Sequence, residues 1–584
     1  MNRVLCPAIV VALGLLAGCG GGSAPKPTIA VTVTPTAVTL APGKSAVFTA
    51  SVTNTTNTAV TWLVNNKPGG NASVGTISNK GVYVAPSTEP NPPTVNVTAA
   101  SQADPTKSAT ALVTIGQPAG QANQVAQAFP IKLGTSGGDS LDTTTNANTI
   151  TCCSGTLGSL LERAGNFYIL SNNHVLARSN QAKAGEPISQ PGLVDSNCRP
   201  AAPVANLSQF VQLPQGGTSS SPKTGTVDAA IAQIVTGAVD TTGSILELGT
   251  ASSTPGVPNP AAPAGTTVAP SINMGVAKAG RSSGLTCSSI SSVNTIVDIS
   301  YSTSCSGGTT FYVEYDNQIV ISGKSFSAAG DSGSLVVNKS TAQPVGLLYG
   351  GDSTSTVANP IGAVLSALAD SKGNVPVIVG GAQHTIACPA GATAEPAGAQ
   401  ASVPVAPLEM ARAGEVSGRY AMRLMANPEV AGIAVDHSLD APGHAAITIY
   451  VKSLPRPGTI PAQLDGIRTR IVPMAALVSG PGPEPAPAIS EAEVGRVAAV
   501  KQQHARELLR RSPAIFGVGV GASDDSPGEA AVVLFVDKDM TYSAPATLDG
   551  ARTKVVRSDR FRAWGWNEQQ QAQSCSVPKQ RARK

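Results

Sequence analysis

Three short strings in the middle of this 584-residue chain carry side chains suited to nucleophilic chemistry. The first is Tyr168-Ile169-Leu170-Ser171-Asn172-Asn173-His174-Val175-Leu176, an apolar run that ends in polar residues and presents an imidazole. His174 is the only histidine between positions 126 and 380, and an imidazole is the natural general base near neutral pH. The second is Gly330-Asp331-Ser332-Gly333-Ser334-Leu335-Val336-Val337, a serine among glycines ahead of an apolar strand. Small neighbours let backbone N–H groups converge on a developing oxyanion. Val345-Gly346-Leu347-Leu348-Tyr349-Gly350-Gly351 follows, a strand ending in glycines that suits the wall of a substrate cleft. The third is Thr226-Val227-Asp228-Ala229-Ala230-Ile231, which opens an apolar strand with a carboxylate. A buried carboxylate there would orient the imidazole and stabilise its charged form. Taken singly, each string has an ordinary structural reading. Together, a hydroxyl, an imidazole and a carboxylate are the parts of acyl transfer through a covalent intermediate.

These residues need elements to hold them. The stretch 126–380 is β-rich with Gly- and Ser-rich loops. Residues 28 to 116 alternate apolar and polar, as in Ala46-Val47-Phe48-Thr49-Ala50-Ser51-Val52, with turn residues between the runs. Short strands punctuated in this way predict a β-sandwich, with Trp62 as its core aromatic. An Ala/Pro/Gly segment at 389–407 reads as a linker. Beyond it the chain repeats itself. Val430-Ala431-Gly432-Ile433-Ala434-Val435 matches Ile515-Phe516-Gly517-Val518-Gly519-Val520, and Leu464-Asp465-Gly466 matches Leu548-Asp549-Gly550. Two small α+β units follow, at 410–475 and 491–560, each a helix with two strands, a turn and a final strand. The helix is clearest over Glu491–Arg511, where Ala, Val and Leu recur at helical spacing.

As a set, the three strings resemble the chymotrypsin-like serine peptidases, in the bacterial branch that includes HtrA-type enzymes. The chain order His, Asp, Ser fits that family and not subtilisin or the α/β-hydrolases. The resemblance implies a double β-barrel over 126–380 that hydrolyses polypeptides. It implies His174, Asp228 and Ser332 as a triad and the N–H groups of Gly330 and Ser332 as an oxyanion hole. Tyr349, Gly350 and Gly351 would flank the substrate main chain, and Asp331 would support its loop. Phe326 would sit near the base of the specificity pocket, where trypsin has an aspartate, which argues against a Lys/Arg preference. Ser334 departs from the family's frequent second glycine, and no cysteine adjoins His174. Residues 75–86 resemble the bacterial Ig-like domains of secreted proteins, so 28–116 is expected to be a spacer or adhesion module. Because that segment precedes the peptidase, activation by burial of a freshly cut N-terminal amine is not expected.

The first 18 residues read as a targeting segment, with Arg3 and an apolar run from Val4 to Leu16 too short to span a bilayer. Leu16-Ala17-Gly18-Cys19 resembles the bacterial lipobox, which implies a lipid on Cys19 and a place in the cell envelope outside the cytoplasm, on the outer membrane. Seven further cysteines fit an oxidising compartment. Cys287 with Cys305 is the expected pair, and Cys198 with Cys153 or Cys152 the next. Adjacent Cys152-Cys153 has no CxxC spacing or nearby histidine, so neither a metal nor another cofactor is expected. The net charge of +4 gives no case for nucleic acid as a partner. Charged residues are only 13% of the chain, against about 25% in an average soluble protein, which suits extracellular β-domains joined by linkers. The oligomeric state is not legible. The expected architecture is thus multidomain and mainly β: an Ig-like sandwich, a chymotrypsin-like double barrel and tandem α+β repeats. A competing reading is a non-catalytic surface-binding protein on a degenerate protease fold.

Overall fold

The computed structural model describes residues 28–40, 45–86, 94–115, 123–145, 150–250, 259–305, 307–323, 325–388, 403–474 and 487–563. Cys19, the targeting segment, most of the expected linker and Cys575 lie outside the described residues. The chain is mainly β and divides into two compact units, one ending at Gly120 and the other beginning at Gln121.

In the first unit, Thr94–Ser101 pairs antiparallel with both Ser108–Ile115 and Val60–Val64. A separate small sheet holds Ser45–Val47, Gly75–Ile77 and Val82–Val84. Alternate residues of these strands point inward. Trp62 lies in that core, its ring 6.5 Å from Phe48, which in turn meets Tyr83 edge-on.

The second unit begins with an eight-stranded sheet. Its strands are β1 (Thr135–Asp139), β2 (Gly155–Leu157), β3 (Ser159–Arg163), β4 (Asn166–Ser171), β5 (Pro187–Ser189), β6 (Pro203–Phe210) and β7 (Ala230–Ile234). The helical turn α1 (Asn173–Leu176) follows β4 directly. A second sheet starts with β8 (Gly275–Gly280), β9 (Gly284–Ser304), β10 (Gly307–Ser322), β11 (Leu335–Asn338), β12 (Pro344–Gly351) and β13 (Ser355–Pro360). A last short strand, β14 (Val377–Ile378), returns to the first sheet. The first sheet runs β2-β1-β5-β6-β7-β4-β3-β14. Leu160, Ile169, Leu170, Leu176 and Ile231 fill the core beneath it.

The 21-residue β9 would measure roughly 70 Å if straight. Its register with β10 slips at four places, and such bulges bend a strand. This strand also explains the disulfides. Cys287 and Cys305 were expected to pair, but they stand at opposite ends of β9 and bond elsewhere. Cys287 joins Cys388, Cys305 joins Cys153, and Cys152 joins Cys198. Closeness in sequence does not bring two cysteines together when the chain between them is extended.

The C-terminal region repeats one succession of elements. The first copy has α2 (Pro407–Met425), β15 (Val430–His437), β16 (Ala445–Val451), β17 (Gln463–Leu464) and β18 (Ile467–Pro473). The second has α3 (Glu491–Arg511), β19 (Ile515–Ala522), β20 (Ala530–Asp537), β21 (Thr547–Leu548) and β22 (Ala551–Ser558), then β23 (Arg562–Ala563). Pro407, in the stretch read as linker, opens α2, a position where its missing N–H costs nothing. The Ser490 side chain caps α3 by accepting from the Glu493 N–H. The first copy forms its own four-stranded sheet. The second copy does not stand apart. Its β19 pairs antiparallel with β9, so one sheet runs β10-β13-β12-β11-β8-β9-β19-β20-β22-β21. The core is continuous across that join: Val497, Val518 and Leu534 pack with Val276, Ile290 and Ile321.

Candidate active site

Strand register brings His174 and Asp228 together. β4 and β7 are antiparallel, with Ser171 opposite Ala230. The residues just past the end of β4 therefore face those just before β7. Asp228, fully buried, accepts from the His174 Nδ1 at 2.6 Å through Oδ2. Its Oδ1 accepts from the Asn173 N–H at 2.7 Å and the His174 N–H at 3.4 Å. Asn172 Nδ2 donates to the Asp228 carbonyl at 2.7 Å, and Asn359 Oδ1 accepts the Asp228 N–H at 3.3 Å. A carboxylate held by this many donors fixes the ring with Nδ1 as donor, leaving Nε2 as the basic nitrogen.

Ser332 reaches the same place from the other sheet. Thr156 of β2 is the staple. Its N–H donates to the Ser332 carbonyl at 2.8 Å, its hydroxyl donates to the Gly330 carbonyl at 2.9 Å, and its carbonyl accepts from Ser171 Oγ at 2.7 Å. A Cβ placed on Gly155 would lie 2.6 Å from the Val175 side chain and 3.1 Å from the Ser332 carbonyl. The neighbours of the imidazole and of the hydroxyl thus meet at one glycine. Gly333 has φ +94, and a Cβ there would sit 2.1 Å from Ser171 Oγ, so this turn needs glycine. Ser332 Oγ donates to the Tyr349 carbonyl at 3.2 Å, and His174 Nε2 is buried with no hydrogen-bond partner among the described residues. No hydrogen bond joins the Ser332 hydroxyl to the imidazole.

The loop 328–334 rests on two buried cations. Asp331 is fully buried and accepts from the N–H groups of Ser282, Ser283 and Ala328, at 2.8, 3.2 and 2.9 Å. The Lys278 ammonium, equally buried, lies 3.3 Å from Asp331 Oδ2 and donates to the Gly284 carbonyl at 3.0 Å. Burial pulls the Lys278 pKa down, and the Asp331 carboxylate opposes that pull. Beside it, Arg281 makes two 2.6 Å bonds to the Asp195 carboxylate. A Cβ on Gly330, at φ +96, would lie 2.8 Å from the Arg281 guanidinium.

Three buried tyrosines lie behind the imidazole. The Tyr301 ring is 6.0 Å from His174, the Tyr301 and Tyr315 hydroxyls are 2.8 Å apart, and the Tyr315 and Tyr349 rings are 5.4 Å apart. Desolvation first, and then the nearby Asp228 charge, hold the Tyr301 and Tyr315 hydroxyls well above their usual pKa and hence neutral. Thr156, Lys278, Tyr301 and Tyr315 were not singled out from sequence. Their one local signal was the strand Gly155-Thr156-Leu157 upstream of His174.

The other expected residues fall as follows. Gly330 is in the loop that carries Ser332. Tyr349 supplies the carbonyl that meets Ser332. Gly350 and Gly351 are paired by β23 of the chain itself. Phe326 is buried in the apolar core, with the Lys278 ammonium 6.0 Å from its ring centre.

No protein-family model matches the chain, and no curated protein matches it. Among solved structures, it is similar to a glutamic acid specific serine protease at 16% identity and TM-score 0.28, over 42% of this chain and 100% of that one. It is similar to Thermobifida fusca protease A at 14% identity and TM-score 0.25, over 39% of this chain and 92% of that one. A Nocardiopsis protease matches at 14% identity and TM-score 0.24, over 39% of this chain and 94% of that one.

Proposed function

We propose that the chain is a serine endopeptidase, with Ser332 as nucleophile, His174 as general base and then acid, and Asp228 as the group that orients the ring. The observation that carries this reading is the 2.6 Å contact between His174 Nδ1 and a fully buried Asp228, with Nε2 unpartnered among the described residues. When a peptide enters, the Ser332 hydroxyl turns from the Tyr349 carbonyl to Nε2 and gives up its proton as oxygen attacks the scissile carbonyl. Such contacts tighten once substrate is bound. The Gly330 and Ser332 N–H groups stabilise the oxyanion, each donor of this kind contributing about 2.7–4 kcal/mol. The imidazolium then protonates the leaving amine, and water enters by the reverse path. Lys278 supplies Asp331 with a cation from within the chain, so the loop needs no new N-terminus to support it.

In this reading, 28–116 is an Ig-like spacer, and Cys19 carries a lipid that holds the enzyme on the outer membrane, outside the cytoplasm and facing the periplasm or the cell surface. Labelling with a fluorophosphonate and cleavage of a peptide library test the chemistry. Wild type is expected to show both and Ser332→Ala neither. The Ser332 to Tyr349 contact favours a second reading, a non-catalytic binding protein. Labelling that is absent from wild type, and remains absent when residues 559–584 are removed, would establish it.

A further inference from the structure

Strand β12 has two sides. β13 occupies one, opposite Gly350 and Gly351 through Val357 and Thr356. β11 occupies the other as far as Leu347 and then leaves it. The side of Gly350–Gly351 beyond β11 is therefore the edge open to a peptide. It is filled by β23, antiparallel, with Arg562 opposite Gly351 and Ala563 opposite Gly350. The approach is backbone to backbone: a Cβ on Gly350 would lie 2.5 Å from the Arg562 carbonyl oxygen.

Direction matters as much as position. β23 runs from Gly351 toward Gly350, and so toward Tyr349, whose carbonyl accepts from Ser332 Oγ. The acyl half of a scissile peptide must approach the nucleophile with this polarity. The strand is anchored as well as placed. Phe561 is fully buried, its ring 5.1 Å from Phe516 and 5.4 Å from Phe535, in the cluster that holds Tyr301 and Tyr349. Arg560 Nε donates to Asp537 at 2.9 Å, and the Ser300 N–H donates to the Phe561 carbonyl at 3.3 Å. Ser332 itself has no exposed surface.

We infer that β23 is a built-in pseudosubstrate strand. It holds the main-chain positions of the acyl side of a peptide, so a peptide must displace it and the folded chain cleaves peptides below its capacity. The inference rests on the endopeptidase reading. Peptide and β23 cannot share the edge, whereas a small ester does not need it.

The test compares full-length wild type with Arg562→Pro and Ala563→Pro. Adjacent residues in an antiparallel ladder alternate in donating, so one of these removes a ladder N–H. Peptide-library kcat/KM is expected to rise about tenfold in that variant, the worth of a hydrogen bond or two lost by the competing strand. Hydrolysis of p-nitrophenyl acetate should stay the same. Equal peptide turnover in all three proteins, with ester hydrolysis intact, overturns the inference and leaves the peptidase reading standing. Ester hydrolysis and fluorophosphonate labelling absent from all three defeat the peptidase reading itself. A second measurement needs no variant. In wild type, amide exchange over residues 559–563 should accelerate when a tripeptidyl boronate binds Ser332. Unchanged protection with the boronate bound also overturns the inference.

Discussion

The two C-terminal copies share an order of elements and differ in what their first strand can touch. In the first copy, β15 presents Gly432, Ala434 and Asp436, stands at the edge of its own sheet and is mostly half-buried. In the second, the same places hold Gly517, Gly519 and Gly521, and β19 is buried almost throughout against β9. A Cβ on Gly519 would lie 2.2 Å from Ser292 Oγ and 2.5 Å from Thr295 Oγ1, and one on Gly521 would lie 2.5 Å from the Ser291 carbonyl. The second copy docks because it lacks side chains where β9 comes close. The first copy, with a methyl and a carboxylate at those places, could not. Glycine weakens an isolated strand, so the second copy gains from its neighbour what it lacks in intrinsic strand preference.

Gly519→Val breaks the comparison most directly. The side chain must displace β9 or β19, and the expected loss is about 3 kcal/mol in stability by chemical denaturation, the upper range for overpacking a core. Ala434→Val, the matching change on an open edge, should stay within about 0.5 kcal/mol of wild type. Equal losses would mean that the glycines do not decide which copy docks.

The copies treat each other alike even though their surroundings differ. Asp525 accepts from the Ser438 hydroxyl and from the Leu439 N–H at 2.6 Å. Asp440 accepts from the Ser523 hydroxyl at 2.5 Å and the Asp524 N–H at 2.6 Å. The Asp440 carbonyl accepts from Val555 N–H, and the Asp525 carbonyl from Ile471 N–H, both at 2.7 Å. Removing either carboxylate strands a buried hydroxyl and a buried N–H. Asp440→Ala and Asp525→Ala should each cost about 2 kcal/mol, and by nearly the same amount. A cost confined to one of them would show that the exchange is not reciprocal.

What was legible in the sequence follows the range of the interactions. His174, Asp228 and Ser332 stand in short strings whose local pattern, an apolar strand meeting polar or glycine residues, already has the shape of a site. The matching strings at 430–435 and 515–520 were legible because each pattern points to the other, and both lie in strands. Lys278 was not, since a lysine inside an apolar run becomes meaningful only when Asp331 folds against it. Tyr301 meets the imidazole, and Tyr315 meets Tyr301, only through pairing of strands far from His174 in sequence. The Cys287–Cys305 pairing failed for the same reason in reverse, as the chain between them is extended rather than looped. Nothing in Asp559-Arg560-Phe561-Arg562-Ala563 marks a strand bound for Gly350. That placement rests on Phe516 and Phe535, distant in sequence from Gly350, whose rings pack on Phe561.

The smallest effect concerns charge at the join between the second copy and the sheet that holds β9. Asp298 of β9 stands directly across from Glu314 of β10. Burial, and then the Glu314 charge, push its carboxyl up to about 7, while the Arg560 guanidinium pulls the other way. An unfolded aspartate titrates near 3.9. Between about pH 4 and pH 7 the folded chain therefore holds a proton that the unfolded chain has released, and this group's contribution to stability falls as pH rises through that window. Below it the group is neutral in both states and contributes no slope. Asp298→Asn removes the charge that high pH forces into the interior. Asp298 Oδ1 is already buried without a partner among the described residues, and an amide there keeps part of that desolvation cost. The net gain should be about 1 kcal/mol at pH 8 and close to nothing at pH 4, read from denaturation midpoints at the two pH values. A gain equal at both would remove the Asp298 carboxylate from the account of how the second copy is held.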